Sequence, residues 1–389
     1  MAVTIQQQPS ILSPAFNDAI FIVSSTNVLA DSFQYVVDIY VSGVKVDRML
    51  VPPHPTHLTG LVNIAPLLES RVSKDILIGD ATITNNSNSY TPYVIKFGEA
   101  YGSTGTVVYP DLTVTNTKYL WNSVFDYEDY CAYSSGDYVT STSTPCDFLT
   151  NKPSSGDIMS DDNAWLYWID MTYQTAKVRI KTYTNTTLVN TFDIKRTSIQ
   201  FLRCPTGIKN LNAITTMFTG VETSYTVQVL NSSNVAITKL YYYTVATNCS
   251  RYEKRRVQFL NKLGGYDFFN FTLVSHENID IERSTYKKNL GSYTNANTYT
   301  FSQKDRAYSQ FYTKVKDKIS MQSDWVTEEQ LAWLEELMTS PDVLLDDGTY
   351  LVPINITNAS FEKKKVVNEK LFNLTVEYTL SYDRYRQRL

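Results

Sequence analysis

The sequence is poor in the residues from which catalytic and metal sites are usually built. It has three histidines, His54, His57 and His276, and four cysteines, Cys131, Cys146, Cys204 and Cys249, in 389 residues. So few imidazoles leave a thin supply of general bases and metal ligands. The cysteines lie far apart in a long chain, whereas disulfide scaffolds are short and cysteine-dense, so free thiols in a reducing cytoplasm are expected. No Gly-x-Gly-x-x-Gly, no phosphate loop ending in Gly-Lys-Ser/Thr, no Gly-x-Ser-x-Gly and no His-Glu-x-x-His occurs, which removes the common cofactor and hydrolase signatures. No apolar run approaches the ~20 residues that a bilayer-crossing helix needs. The segment Met1-Ala2-Val3-Thr4-Ile5-Gln6 lacks the basic stretch and apolar core of an export signal. A formal charge of −4 and a pI near 5.5 provide no overall basic field for a phosphate backbone. The expectation is a protein that is not an enzyme, requires no cofactor or metal, and has neither membrane nor specific nucleic acid as a partner.

Aromatic residues are abundant instead: 29 Tyr, 17 Phe and 5 Trp against 14 Gly. Pleated, half-buried surfaces and large interfaces accommodate such rings better than helices do. The length exceeds the usual single domain. The fold class expected is mainly β, with two or three β-sandwich-like domains over residues 1–110, 111–255 and 256–389, and one substantial helix in the last.

In the first block, Phe33 to Val41 places Tyr35, Val37, Ile39 and Val41 on one side, the period of a strand. Gly43 turns the chain, Val44-Lys45-Val46 resumes, and Pro52, Pro53 and Pro55 impose a loop. Leu61 to Leu68 predicts a helical turn and Tyr93 to Phe97 a strand. In the second block, Tyr133 to Thr144 has no hydrophobic period and reads, with Asn151 to Gly156, as exposed loop. Trp165–Ile169, the pair Lys177–Thr182 and Leu188–Ile194, Tyr225–Val229 and Leu240–Val245 read as strands.

The third block opens on Phe259 to Phe271, where Gly264 and Gly265 mark a tight turn or bulge between two strands. Thr327 and Gln330 stand at capping-box spacing, and Leu331, Leu334 and Met338 share a face, so a helix is expected over 327–339 with Trp333 at the margin of its apolar stripe. Asp346-Asp347-Gly348 turns a hairpin between Val343–Leu345 and Leu351–Ile356. Finally, Phe372, Leu374, Val376, Tyr378, Leu380 and Tyr382 alternate with polar residues, which predicts one continuous strand over 372–383, on the order of 40 Å long.

Candidate chemistry is sparse. His54 and His57 stand three apart in the Pro-rich loop, but no Cys or carboxylate lies near them in sequence, and a surface loop is the reading preferred over a metal site. Asp126-Tyr127-Glu128-Asp129 and Asp161-Asp162 are carboxylate pairs of the kind glycosidases set across a sugar, though a chain this acidic supplies such pairs without function. Lys363-Lys364-Lys365 and the tail Arg384-Tyr385-Arg386-Gln387-Arg388 are read as a solvated turn and a subunit-docking tail rather than phosphate contacts.

Several segments together resemble a known group. They are Phe259-Leu260-Asn261-Lys262-Leu263-Gly264-Gly265-Tyr266-Asp267, Phe148-Leu149-Thr150-Asn151-Lys152-Pro153 and Arg203-Cys204-Pro205-Thr206-Gly207-Ile208-Lys209-Asn210-Leu211. The Trp-containing helix, Ser340-Pro341-Asp342-Val343 and Leu351-Val352-Pro353-Ile354-Asn355-Ile356-Thr357 join them. With these pieces the chain resembles virion proteins of tailed phages that infect Bacteroidota, in particular the crAss-like phages. The resemblance implies a β-domain structural subunit without catalytic residues. It implies a homo-oligomeric, dodecameric ring in the neck or tail between portal and tail, with partners among copies of itself, the portal and other neck and tail proteins. Its implied location is the virion, after synthesis in the bacterial host cytoplasm.

Tyr378, Tyr382, Arg384, Tyr385 and Arg386 are the residues expected at the subunit interface, because an edge strand offers unpaired amides and carbonyls. The alternative is a baseplate or receptor-binding tail protein recognising surface carbohydrate through the Tyr-rich stretch from Tyr127 to Tyr138. A polysaccharide-degrading tail enzyme using the acidic pairs is a third class.

Overall fold

The computed structural model describes residues 3–75, 82–102, 107–141, 143–195, 200–246, 251–294, 297–348, 350–358 and 371–385. The chain is mainly β, with 49% strand and 10% helix in several sheets. It divides into two compact units: unit 1 is Met1–Asn248 with Leu260–Asp267, and unit 2 is Cys249–Phe259 with Phe268–Leu389.

Unit 1 contains two layered β assemblies. In the first, the strands Gln34–Val41 and Tyr90–Ala100 pair antiparallel from Gln34↔Ala100 to Val41↔Tyr93 at the centre of a six-stranded sheet. The alternation of Tyr35, Val37 and Ile39 carries those side chains into one core with Tyr93, Ile95 and Phe97, covered by Val3, Phe21, Val23 and Val62 of a three-stranded sheet. Gly43, with φ +80°, turns the chain between Gln34–Val41 and Val44–Val51. Pro52 to His57 is loop, and a short helix follows at Ala65–Leu68.

The second assembly holds Lys177–Thr184 between Thr187–Lys195 and Ser224–Leu230 in a five-stranded sheet. A three-stranded sheet of Trp165–Asp170, Gln200–Pro205 and Thr84–Asn85 accompanies it. Buried rings stack here: Tyr225 lies 4.8 Å from Tyr243, and Trp168 lies edge-on to Phe148 at 6.3 Å. Thr84–Asn85 pairs with Leu202 and Arg203, so the first two expected segments share a sheet within unit 1, which runs to Asn248 rather than to 255. The turn Asn261 to Gly265 also packs in unit 1. Asn261 receives hydrogen bonds from Leu263 N and Gly265 N on its side-chain oxygen and donates to Leu149 O.

Unit 2 is built on an eight-stranded sheet in which Thr375–Leu380 lies between Leu351–Ile356 and Tyr308–Gln322. The helix Glu328–Thr339 is capped by Thr327 and Gln330 in the expected reciprocal pair. Its Leu331, Leu334 and Leu337 meet Val257, Phe259, Met321 and Val376 in one core.

Two expectations are corrected here. Trp333 is not marginal: it is 3% exposed, 5.6 Å from Phe259 and 6.1 Å from Phe269, because the sheet offers rings that widen the helix's buried face beyond its aliphatic stripe. The continuous strand expected over 372–383 is broken into Leu371–Phe372, Thr375–Leu380 and Arg384–Tyr385. Ser323 causes the first break, since it exchanges Ser323 N–H to Leu374 O and Leu374 N–H to Ser323 Oγ, both 2.8 Å, outside the regular ladder. The longest strands lie elsewhere, at Ser275–Lys287 with 13 residues and Tyr308–Gln322 with 15.

Candidate interaction surface

Those two longest strands pair from Ser275↔Met321 to Lys287↔Tyr308, with a register shift at Ser284/Thr285. On its other side, Tyr308–Gln322 is bordered by Thr375–Leu380 along Lys318 to Gln322 and by Arg384–Tyr385 at Lys314 and Val315. From Thr313 back to Tyr308, Ser275–Lys287 is its sole strand neighbour among the described residues. A two-stranded ribbon therefore leaves the sheet for about 20 Å, at ~3.4 Å per residue. Beyond it, Lys288 N–H bonds to Ala307 O at 2.8 Å, and a small hairpin pairs Tyr293 with Tyr299.

The ribbon root and the ribbon tip differ in chemistry. At the root, Lys318 pairs with Asp280 at 2.5 Å and Lys314 with Asp383 at 2.8 Å, and the Tyr312 hydroxyl donates to Glu282 at 3.1 Å. That hydrogen bond to a carboxylate holds the Tyr312 hydroxyl above its ordinary pKa. At the tip, Tyr293 is 77% and Phe301 76% exposed, and both meet Tyr299 edge-to-face at 5.0 and 5.3 Å. Leu290, Tyr308 and Phe311 are exposed beside them. Lys287, Lys288, Lys304 and Arg306 are exposed around this cluster.

A lone two-stranded hairpin is at best marginally stable in water. Among the described residues Ser275–Lys287 also ends the sheet and has no strand partner on its other side, a template for another chain. Clustered exposed rings on such an element mark a contact surface.

The residues expected at an interface fall in different places. Tyr378 points into the unit 2 core at 1% exposure, because its strand is interior to the sheet; it is corrected to a core residue. Tyr382 and Tyr385 are exposed, and Arg384 pairs with Asp317, which places this group at the ribbon root. Arg386 lies outside the described residues, as do Lys363-Lys364-Lys365 and Cys249. The ribbon itself was missed by the sequence reading. Its one signal was a run of mixed polar and apolar residues too weak to separate two faces.

The His54 and His57 rings stand 4.9 Å apart, and His54 Nδ1 accepts from Thr56 N and His57 N, so this nitrogen serves the loop. Among the described residues no three His, Cys, Asp or Glu converge on a common point. Asp162 is buried and its carboxylate accepts from Met159 N at 3.0 Å, anchoring a turn. Cys131, Cys146 and Cys204 are free thiols, and burial pushes Cys146 up to about 12.

Tyr133 to Thr144, expected as exposed loop without structure, is ordered in its first part, and it continues the Tyr-rich stretch that begins at Tyr127. That stretch holds the helix Tyr127–Cys131 and a helical turn at Ser135–Asp137. Tyr133 stacks on Tyr130 at 6.1 Å and on Tyr138 at 6.0 Å, while Phe125 lies 5.2 Å from Tyr133. The Tyr133 hydroxyl donates to Leu12 O and the Tyr130 hydroxyl to Asp18 O. Burial, with Asp137 beside it, raises Tyr138 to about 12. Within unit 1, Phe125, Tyr133 and Tyr138 line a cleft of about 310 Å³ with Asp129, Asp137 and Lys262. Lys262 is ion-paired to Asp126 at 2.5 Å.

No protein-family model matches the chain, and no curated protein does. Among solved structures it is similar to Escherichia coli alpha-2-macroglobulin, at 8% identity and TM-score 0.19, over 96% of this chain and 20% of that one. It is also similar to the plexin A4 extracellular region, at 9% identity and TM-score 0.16, over 97% of this chain and 34% of that one. The chain thus spans 20% and 34% of these longer proteins, and likenesses so slight carry no inference.

Proposed function

We propose that this chain is a non-enzymatic structural subunit of a bacteriophage virion, which assembles with copies of itself into a ring in the neck or tail, between portal and tail. The observation that carries the reading is the ribbon. Its 13-residue edge strand has no second strand partner among the described residues, its tip carries exposed rings, and it lacks a core of its own. Such an element gains order only against a neighbour, and a ring supplies one to every copy. Head-to-tail contacts between unlike faces of identical subunits close into rings when the rotation allows. Permanent interfaces often bury more than about 2,000 Å², and ribbon, tip and the exposed Tyr382 and Tyr385 contribute area of that kind. The resemblance of the segments around Phe148, Arg203 and Phe259 to virion proteins supplies the biological setting.

The baseplate or receptor-binding alternative rests on the tyrosines as a sugar platform. Tyr130, Tyr133 and Tyr138 are half-buried and stacked on one another, and Tyr127, at 82% exposure, is the fully exposed ring of that stretch, so it offers no row of open ring faces to a sugar. The ring placement is therefore preferred. A reconstruction of the intact particle tests it: density for this fold in a closed ring with ribbons against neighbouring subunits supports the reading. Isolated copies at the tail tip, with ribbons in solvent, refute it.

A further inference from the structure

We infer that the ribbon tip of one copy seats in the cleft lined by Phe125, Tyr133 and Tyr138 of a second copy. This rests on the self-assembly reading above and names the contact through which it operates. The two surfaces are complementary in three respects.

The first is size. The cleft encloses about 310 Å³, within the range of roughly 300–1,000 Å³ typical of pockets that bury a compact group. Phe301, which follows the strand Tyr299–Thr300, is a group of that scale and is left 76% exposed by its own chain.

The second is charge. Asp129 and Asp137 are exposed and line the cleft, and they form no ion pair among the described residues, whereas nearby Asp126 is held by Lys262. The tip carries Lys287, Lys288, Lys304 and Arg306 around its rings. A cationic head placed beside these carboxylates gains Coulomb attraction.

The third is apolar contact. Tyr133, Tyr138 and Phe125 already meet one another at 5.2 to 6.0 Å, and another aromatic ring extends such a cluster edge-to-face. Tip and cleft occupy different units of the chain, so the contact joins unlike surfaces. Each copy keeps one tip and one cleft for its next neighbours, the condition for a closed series.

Sedimentation velocity on the full-length protein, with its charge-reversed variants, tests the inference. Wild type should associate as concentration rises, more weakly at high salt, since rim charges are screened. D129K/D137K and K304E/R306E should each weaken association at least tenfold while circular dichroism stays native. An equimolar mixture of the two should recover complexes, because reversed cleft meets reversed tip. Phe301→Ala, which leaves every charge in place, should weaken association to a similar degree.

Association that none of these variants alters overturns the inference and leaves self-assembly standing. Wild type that stays monomeric up to on the order of 100 µM, a concentration that detects even weak contacts, overturns both. Binding of host-surface glycans that D129K/D137K abolishes, with association untouched, assigns the cleft to carbohydrate and likewise overturns the proposal.

Discussion

Gly264→Ala separates two costs that glycine substitutions usually mix. Gly264 and Gly43 both belong to unit 1 and both sit at φ +80°. An L-residue in that left-handed region costs roughly 1–2 kcal/mol from clash with its own carbonyl. Gly43 has nothing within 4 Å of a built Cβ, so Gly43→Ala incurs that cost alone. At Gly264 the new methyl would stand 2.2 Å from the Asn122 carbonyl oxygen, where real Cβ contacts essentially never fall under 3.0 Å.

Neither partner is free to retreat. Asn122 N–H is bonded to Ser89 O at 2.8 Å, and Val124 N–H to Lys262 O at 2.9 Å. The turn is pinned through Asn261 to Leu149 O, also at 2.9 Å. Relief therefore breaks at least one buried hydrogen bond, adding about 1–3 kcal/mol. The expected loss is about 1–2 kcal/mol for Gly43→Ala and about 2–5 kcal/mol for Gly264→Ala. Urea titration followed by tryptophan fluorescence gives both numbers, provided the slopes agree. Equal losses at the two glycines, or a loss under 1 kcal/mol at Gly264, would refute the packing argument.

Three further outcomes are expected. Trp333→Ala should cost about 3–5 kcal/mol in calorimetry or urea titration, as large buried rings do, whereas Trp325, 65% exposed, should tolerate Ala within about 0.5 kcal/mol. Asp193 is held down to about 2 by the hydrogen bond from Arg179, with Lys177 adding to it against the opposing effect of burial. Its folded pKa thus lies below the unfolded value near 3.9. The stabilisation, on the order of 1–2 kcal/mol, is present above about pH 4 and disappears as pH falls towards 2. The stability gap between wild type and Asp193→Asn should narrow over that window in urea titrations. Replacing residues 289–306 by Asn-Gly, a two-residue hairpin turn, should leave the melting temperature nearly unchanged, since the tip adds nothing to the core, and abolish self-association in sedimentation runs.

Where side chains alternate against one core, the sequence was legible. Gln34–Val41, Lys177–Thr184, Ser224–Leu230 and the capped helix Glu328–Thr339 stand where period and capping chemistry put them. Each is determined by groups within a few residues of one another. The positive φ of Gly264 likewise follows from a paired glycine between two apolar runs.

Contacts distant in sequence decided the rest. The alternation from Phe372 to Tyr382 is real, yet Ser323, some fifty residues earlier, takes Leu374 out of the ladder. Position in the sheet, not pattern, then makes Tyr378 a core residue rather than an edge. Trp333 looked peripheral by helical angle and is buried because Phe259 and Phe269 reach it across the fold.

The ribbon was the least readable element, because hydrophobic periodicity reports burial against the chain's own core. A strand with solvent on both faces has none to report. Composition and short-range pattern thus determined that the chain is β-rich, what its helix looks like and which turns it uses. Tertiary structure alone decided which strand ends the sheet and which rings are left uncovered, since both depend on pairings between segments that the sequence keeps far apart.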